Sequence, residues 1–358
     1  MKRRRLLFYT HALVGGGAER VFARLASGFA QRGDEVTFAV DFEAQENLSF
    51  LAKDVRLVVL PRGHAAATWS LAQILRSEQP HASLSAISVS NLKHAAASVL
   101  AGRRKQAILT YHGFYESEPE RLSNIGYRLT RLLSQVVGAT VAVSHCLRDD
   151  LIARFSVAPE RVTTIYNPAA PEPIPPALSQ NDFARRAPIV LSMGRLVADK
   201  DYVTLLRAFA LVRYPEARLV ILGEGPERAR LEAEARALGV EDRVSLPGFR
   251  TEISAELDRA RCFVVSSRRE TFNLSCIEAI AHSLPIIVTD CGGPTEIVNT
   301  PSVGAIVSVG DAPAIAQWID VFLTAPGDPT ARWRRASAFS LDTALDAYDA
   351  LICSVASR

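Results

Sequence analysis

The sequence predicts an α/β chain of two domains, each a doubly wound parallel sheet. Three observations carry this. Short β-branched runs alternate with helical patterns along the chain, a proline-rich stretch interrupts the alternation near the middle, and 358 residues exceed one ordinary core. Apolar residues at 48% and charged residues at 22% fit a globular chain and exclude a disordered one.

Residues 6–10 are predicted to be the first strand. The basic start, Lys2 to Arg5, imitates the charged region of a signal peptide, but His11, Gly15, Gly16, Gly17 and Glu19 cut the apolar run that follows. Residues 18–31 carry Val21, Leu25 and Phe29 at helical spacing and stop at Gly33. Further buried strands are expected at 36–40, 55–60, 107–110 and 140–143. The second half repeats the theme, with strands at 189–193, 218–222, 244–246, 262–265, 286–289 and 304–307. Helices are expected between them at 202–214, 227–238 and 274–282. Such alternation implies parallel sheets with right-handed crossovers.

Six prolines fall among the 21 positions 168–188. Proline neither donates to a ladder nor sits inside a helix, so this stretch reads as a semi-rigid linker. The expected division is then 1–167, a linker at 168–188, a second domain at 189–336, and a C-terminal helix within 337–358 packing back on the first domain. Two doubly wound sheets facing a central cleft would bind ligands at the carboxyl ends of their strands.

The net charge of +3 hides an asymmetry. Residues 1–168 hold 21 Lys+Arg against 14 Asp+Glu, and the remainder 20 against 24, so the halves carry +7 and −4. A basic first half suggests an anionic partner, although a chance distribution over a solvated surface is also compatible. The five cysteines (146, 262, 276, 291, 353) are scattered and odd in number, which argues against a disulfide framework or a zinc site and for a reducing, cytoplasmic setting. No run approaches the roughly 20 apolar residues of a membrane span.

Three segments carry candidate chemistry. Gly15-Gly16-Gly17-Ala18-Glu19 lies between the first strand and the first helix, where glycines allow close approach and helix amides face phosphate. The spacing is not the dinucleotide fingerprint G-x-G-x-x-G, which disfavours a hydride-transferring dehydrogenase. Gly194-Arg195-Leu196, with Lys200, follows the first strand of the second half; a guanidinium fork and an ammonium could neutralise a diphosphate. Asp199-Lys200-Asp201 has the D-x-D form of a metal–nucleotide site, but Lys200 would repel a cation. Glu270 sits in the loop after the strand at 262–265, and Glu278 lies inside the helix that follows. Amides of Asn273 and Leu274 at that helix start form a natural phosphate seat.

Together these segments resemble the glycosyltransferases of family 4, retaining enzymes of the two-Rossmann-domain GT-B fold. The resemblance rests on the glycine loop, Gly194-Arg195-Leu196 with Lys200, Gly223-Glu224-Gly225-Pro226 through Leu231, and the glutamates Glu270 and Glu278. It is dense over 189–299 and thinner over 6–33, 108–114 and 140–168. It implies that Arg195 and Lys200 hold the diphosphate of a nucleotide sugar, with Gly16 and Gly17 as further contacts. It also implies that Glu270 meets the sugar, Glu278 the ribose, Phe249 and Arg250 the base, and His112 the reacting carbon. Two departures stand out. Thr271 occupies a position where glycine is usual, and His282-Ser283 replace a small residue and glycine before Leu284-Pro285.

The resemblance further implies a UDP-sugar donor, a saccharide or lipid-linked acceptor, no metal or other cofactor, and no nucleic-acid partner. A nucleotide-sugar epimerase of the same fold and a non-catalytic sugar-nucleotide-binding protein are the rival readings. Residues 121–133 place Leu122, Ile125, Leu129, Leu132 and Leu133 on one face, bordered by Arg121, Arg128 and Arg131. That pattern fits a helix lying on the inner face of an anionic membrane, and equally an amphipathic helix covering the first sheet.

Overall fold

The computed structural model describes residues 3–117 and 121–357. The chain divides into two compact units, Met1–Pro168 with Leu341–Arg358, and Ala169–Ser340.

The first unit is a seven-stranded parallel sheet of β1 Arg5–Thr10, β2 Glu35–Val40, β3 Arg56–Val59, β4 Ala82–Ala86, β5 Ala107–Tyr111, β6 Ala139–Ala142 and β7 Val162–Thr164. The spatial order is β3-β2-β1-β4-β5-β6-β7, so the direction of winding switches between β1 and β4. Its helices are α1 Gly17–Gln31, α2 His64–Glu78, α3 Ser88–Leu100, α4 Arg121–Arg128, α5 Thr130–Val136 and α6 His145–Phe155. Phe8 on β1 anchors the core, stacked on Phe38 of β2 and meeting Phe22 of α1 edge-on at 5.6 Å.

The central strand β4 reads Ala-Ser-Leu-Ser-Ala and is buried throughout. Its serines are tolerated because His94 of α3 satisfies them, Nε2 lying 2.8 Å from Ser83 Oγ and Nδ1 2.9 Å from Ser85 Oγ. The Ser85 hydroxyl donates to Asn91, so His94 Nδ1–H donates to Ser85 and Nε2 accepts from Ser83. Burial pushes the His94 imidazole down to about 3, and the ring is neutral.

The second unit has six parallel strands: β8 Ile189–Met193, β9 Arg218–Leu222, β10 Val244–Gly248, β11 Cys262–Val265, β12 Ile286–Thr289 and β13 Gly304–Val307. Their order is β10-β9-β8-β11-β12-β13, with the switch between β8 and β11. Its helices are α7 Gln180–Ala184, α8 Tyr202–Ala210, α9 Arg228–Ala237, α10 Ser254–Arg259, α11 Leu274–Ala281, α12 Gly293–Ile297, α13 Ala312–Thr324 and α14 Pro329–Ser337. These two doubly wound parallel sheets are the fold class predicted from the sequence.

The proline-rich stretch, expected as a semi-rigid linker, is tied to the second unit. From Ala169 onward it belongs to the second unit. The amides of Ala169 and Ala170 donate to Phe339, Trp333 Nε1 donates to the Pro175 carbonyl at 2.6 Å, and Ser179 caps α7. Phe183 of α7 is buried beneath the guanidinium groups of Arg186 and Arg332. The last helix, α15 Leu341–Ala356, belongs to the first unit. Its Asp342 and Asp346 pair with Arg32 at 2.9 and 2.6 Å. Leu341 and Leu345 fill the space over Gly28 of α1, where an added Cβ would lie 2.6 Å from Leu345 Cδ1.

The leucine-rich segment 121–133 is not one helix. It breaks at Leu129 into α4 and α5. The buried face of α4 and α5 consists of Ser123, Gly126, Tyr127, Thr130, Leu133 and Ser134, because Gly126 brings α4 against Ser88 at the start of α3. Ile125, Leu129 and Leu132 face outward with exposures of 45%, 36% and 53%. Of the predicted face, Leu133 alone turns fully inward. Among the described residues, no helix is long and apolar enough to cross a membrane.

Candidate active site

In a doubly wound sheet, ligands bind beyond the carboxyl ends of the strands at the switch point. In the second unit those strands are β8 and β11, and the loops leaving them carry most of the candidate residues. Gly194 follows β8 with φ +156°, and an added Cβ would meet the Tyr202 hydroxyl at 2.9 Å and Lys200 Cε at 3.3 Å. Glycine there lets the loop fold down on Lys200. Arg195 comes next and is exposed.

The loop after β11 is braced twice. The Ser266 hydroxyl donates to the Lys200 carbonyl at 2.8 Å, and the Arg268 amide donates to the Asp199 carbonyl at 2.8 Å. Glu270 then pairs with the backbone after β12, donating its amide to Cys291 and accepting from Gly293. Gly293 permits this, since a Cβ would lie 2.0 Å from the Thr271 carbonyl. The Glu270 carboxylate accepts from the Lys200 ammonium and from Ser267 Oγ at 2.9 Å, with Asn273 Nδ2 at 3.4 Å. Both partners of the ion pair are partly exposed, Lys200 at 22% and Glu270 at 12%.

Asn273 caps α11, its Oδ1 accepting from the Cys276 amide at 3.0 Å. The same Asn273 side chain thus links the start of α11, where Leu274 is the first helical residue, to the Glu270 carboxylate. Glu278 lies one turn further into the same helix. Burial first, then Cys291 and Glu270, push the Cys276 thiol well up, and burial takes Cys291 up to about 12. Neither supplies a thiolate nucleophile at neutral pH.

The structure therefore joins Lys200, Glu270 and Asn273 directly and sets Arg195, Leu274 and Glu278 on the elements they share. Phe249, at 70% exposure, and Arg250 follow β10, two strands from β8; the Gly248 carbonyl accepts from Gly223 and holds that turn beside β9. Asp201 is committed to capping α8 and to Arg268 at 3.1 Å. Sequence reasoning passed over Ser267, whose hydroxyl fixes the Glu270 carboxylate; its place three residues before Glu270 at a strand end was the available signal.

The first unit carries the remaining candidates. Gly16 caps α1 and Gly17 begins it. Asn47 Nδ2 fastens this loop by donating to the Gly16 carbonyl at 3.0 Å, and a Cβ at Gly16 would collide with the Glu19 carboxylate at 2.0 Å. His112 follows β5, its Nε2 lying 2.9 Å from Thr110 Oγ1 and its ring edge-on to Phe22 of α1. Burial takes this imidazole down to about 3, so it is neutral at physiological pH.

Two doubly wound units, with a cation–carboxylate pair at a helix start on the second sheet's switch point, define the GT-B class. Comparison with known proteins agrees. The family model described as Glycosyl transferases group 1 matches residues 177–338, and that described as Glycosyltransferase Family 4 matches residues 15–172. The chain belongs to the group 1 glycosyltransferases.

It is similar to the lipopolysaccharide core biosynthesis glycosyltransferase LpsE of Rhizobium meliloti, 33% identical over 48% of this chain and 52% of that protein. The chain thus matches about half the length of that relative. Its likeness to LpsD of the same organism is 26% over 96% of this chain and 98% of LpsD. Among solved structures, Anabaena HepE in complex with UDP superposes with a TM-score of 0.83 at 18% identity, covering 98% of this chain and all of HepE. That likeness shows the shared fold.

Proposed function

We propose that this glycosyltransferase moves a hexose-type sugar from a UDP-sugar to a saccharide or lipid-linked acceptor in cell-surface glycan synthesis, with retention at the anomeric carbon and without a metal. The observation that carries the donor reading is the Lys200–Glu270 pair beside the Asn273-capped start of α11. An arriving diphosphate would take Lys200, while Glu270 keeps its Ser267 partner and accepts from the sugar's hydroxyls. Arg195 and Lys200 then supply the two positive charges that a divalent ion would otherwise provide to the leaving diphosphate.

The amides of Asn273 and Leu274 favour phosphate through the positive end of α11, and Glu278 accepts from the ribose hydroxyls. Phe249 and Arg250 offer backbone groups to the base. The family resemblance supports donor-binding roles for Gly16, Gly17 and the neutral His112 of the first unit. Attack by the acceptor from the face that the diphosphate leaves makes catalysis chiefly a matter of positioning and electrostatics. The names of LpsE and LpsD, and the UDP held by HepE, support the glycan and UDP assignments.

The exposed stripe of Ile125, Leu129 and Leu132, with Arg121, Arg128 and Arg131 beside it, supports an anionic membrane surface as a further partner. A thermal-shift panel of nucleotide sugars tests the donor assignment, because a ligand bound only by the folded chain raises Tm. A UDP-sugar should give the largest rise. A larger rise with a GDP- or ADP-sugar would reassign the base. An epimerase would convert its nucleotide sugar with no acceptor present.

A further inference from the structure

The carboxyl edge of the first sheet holds a polar cluster with no part in the donor site. Asp41, the residue after β2, accepts from the Tyr9 hydroxyl at 2.9 Å, from His11 Nδ1 at 2.6 Å, and from the Lys93 ammonium of α3. The Asp41 amide also donates to the His11 carbonyl at 2.8 Å, tying the loop after β1 to the end of β2. Burial works to raise the Asp41 carboxyl, but the bonds from His11 and Lys93 outweigh it and hold the group below its usual value. An ionised carboxylate only accepts, so His11 Nδ1 carries its proton and Nε2 is left as the acceptor of the neutral ring.

The burial is graded. Lys93 and Asp41 are 6% and 11% exposed, whereas the His11 side chain is 38% exposed. A buried ion pair is a poor source of stability, and here it fixes the orientation of a ring that solvent can reach. Phe42 stands edge-on to His11 at 5.0 Å, is itself 42% exposed, and borders a cavity of about 140 Å³ with Leu13, Val40, Leu48 and Leu57. The other charge near His11 is Glu19 of α1, which is buried and whose carboxyl burial raises. His11 directly follows β1, one of the two strands flanking the first sheet's switch point.

We propose that this cluster is an acceptor-sugar site: His11 Nε2 accepts a hydrogen bond from an acceptor hydroxyl, and Phe42 with its cavity receives the sugar's apolar face or aglycone. Asp41, Lys93 and Tyr9 are positioning residues that hold the tautomer. No bond is made or broken at His11. The inference rests on the glycosyl-transfer reading above.

Octyl glycosides of glucose, galactose and N-acetylglucosamine serve as probes. Titrated without donor into the full chain carrying ¹⁵N-histidine, at least one should shift the His11 imidazole signals, which should report the Nδ1–H tautomer. His11→Ala should raise the acceptor KM about tenfold, the cost of one lost hydrogen bond, with the donor KM moving far less. His11→Gln, whose amide oxygen can reach the Nε2 position, should restore most of the affinity, and Asp41→Asn should mix the tautomers.

No glycoside shifting the His11 signals would overturn the site. So would an acceptor KM unchanged in His11→Ala, or acceptor and donor KM rising in parallel. Loss of turnover with every nucleotide sugar would instead sink the donor reading, because the titration needs no donor.

Discussion

Ser283 shows how a departure from a family pattern becomes a physical statement. It occupies a position where glycine is usual, and its φ is +66°, in the left-handed region that costs a side-chain-bearing residue roughly 1–2 kcal/mol. Its buried hydroxyl has no hydrogen-bond partner among the described residues. Its backbone makes the bonds, the amide donating to the Ile280 carbonyl at 3.0 Å and the carbonyl accepting from Arg332 Nε at 2.6 Å, and glycine would keep both. Ser283→Gly should therefore stabilise the protein by about 1 kcal/mol, after allowance for glycine's freer unfolded chain. Thermal denaturation checks this, and a lower Tm would mean the serine makes a contact that the geometry does not reveal. The resemblance identified the position, but the sequence could not say that serine had kept the glycine's conformation.

At the scale of elements, legibility followed side-chain chemistry. Every strand of the second sheet was predicted, because each is a short run rich in valine, isoleucine and leucine. In the first sheet β4 and β7 were missed. β4 places serines where a buried strand would carry β-branched residues, and His94 and Asn91, on a different element, make them acceptable. β7 is a three-residue edge strand too short to show a period. Segment 121–133 was legible as amphipathic but not in its orientation, since Ser123, Gly126 and Thr130 joined Tyr127 and Leu133 on the packed face and left Ile125, Leu129 and Leu132 outside.

That orientation yields a prediction. The chain should bind anionic vesicles at low salt and lose them as salt rises, each surface-near cation contributing about 1 kcal/mol. Replacing Arg121, Arg128 and Arg131 with serine should weaken flotation with phosphatidylglycerol vesicles. A wild-type protein that stays unbound at low salt would make a water-soluble acceptor the better reading.

At the scale of the whole molecule, two sheets with one winding rule carry different chemistry at their switch points. The first sheet's edge presents His11, Asp41 and the glycine loop, while the second presents Arg195, Lys200 and Glu270. The motifs of the second site were legible because they are contiguous. The His11–Asp41–Lys93 cluster draws on three separated segments and only folding assembles it. The most direct test of the account is the rate of UDP release by the wild-type chain and by Lys200→Ala, both in excess EDTA. The account predicts a wild-type rate unaffected by the chelator and a variant slower by about 100-fold, the loss typical of removing one preorganised charge donor. A near-normal rate in Lys200→Ala, or a wild-type enzyme that stops until magnesium or manganese is restored, would contradict it.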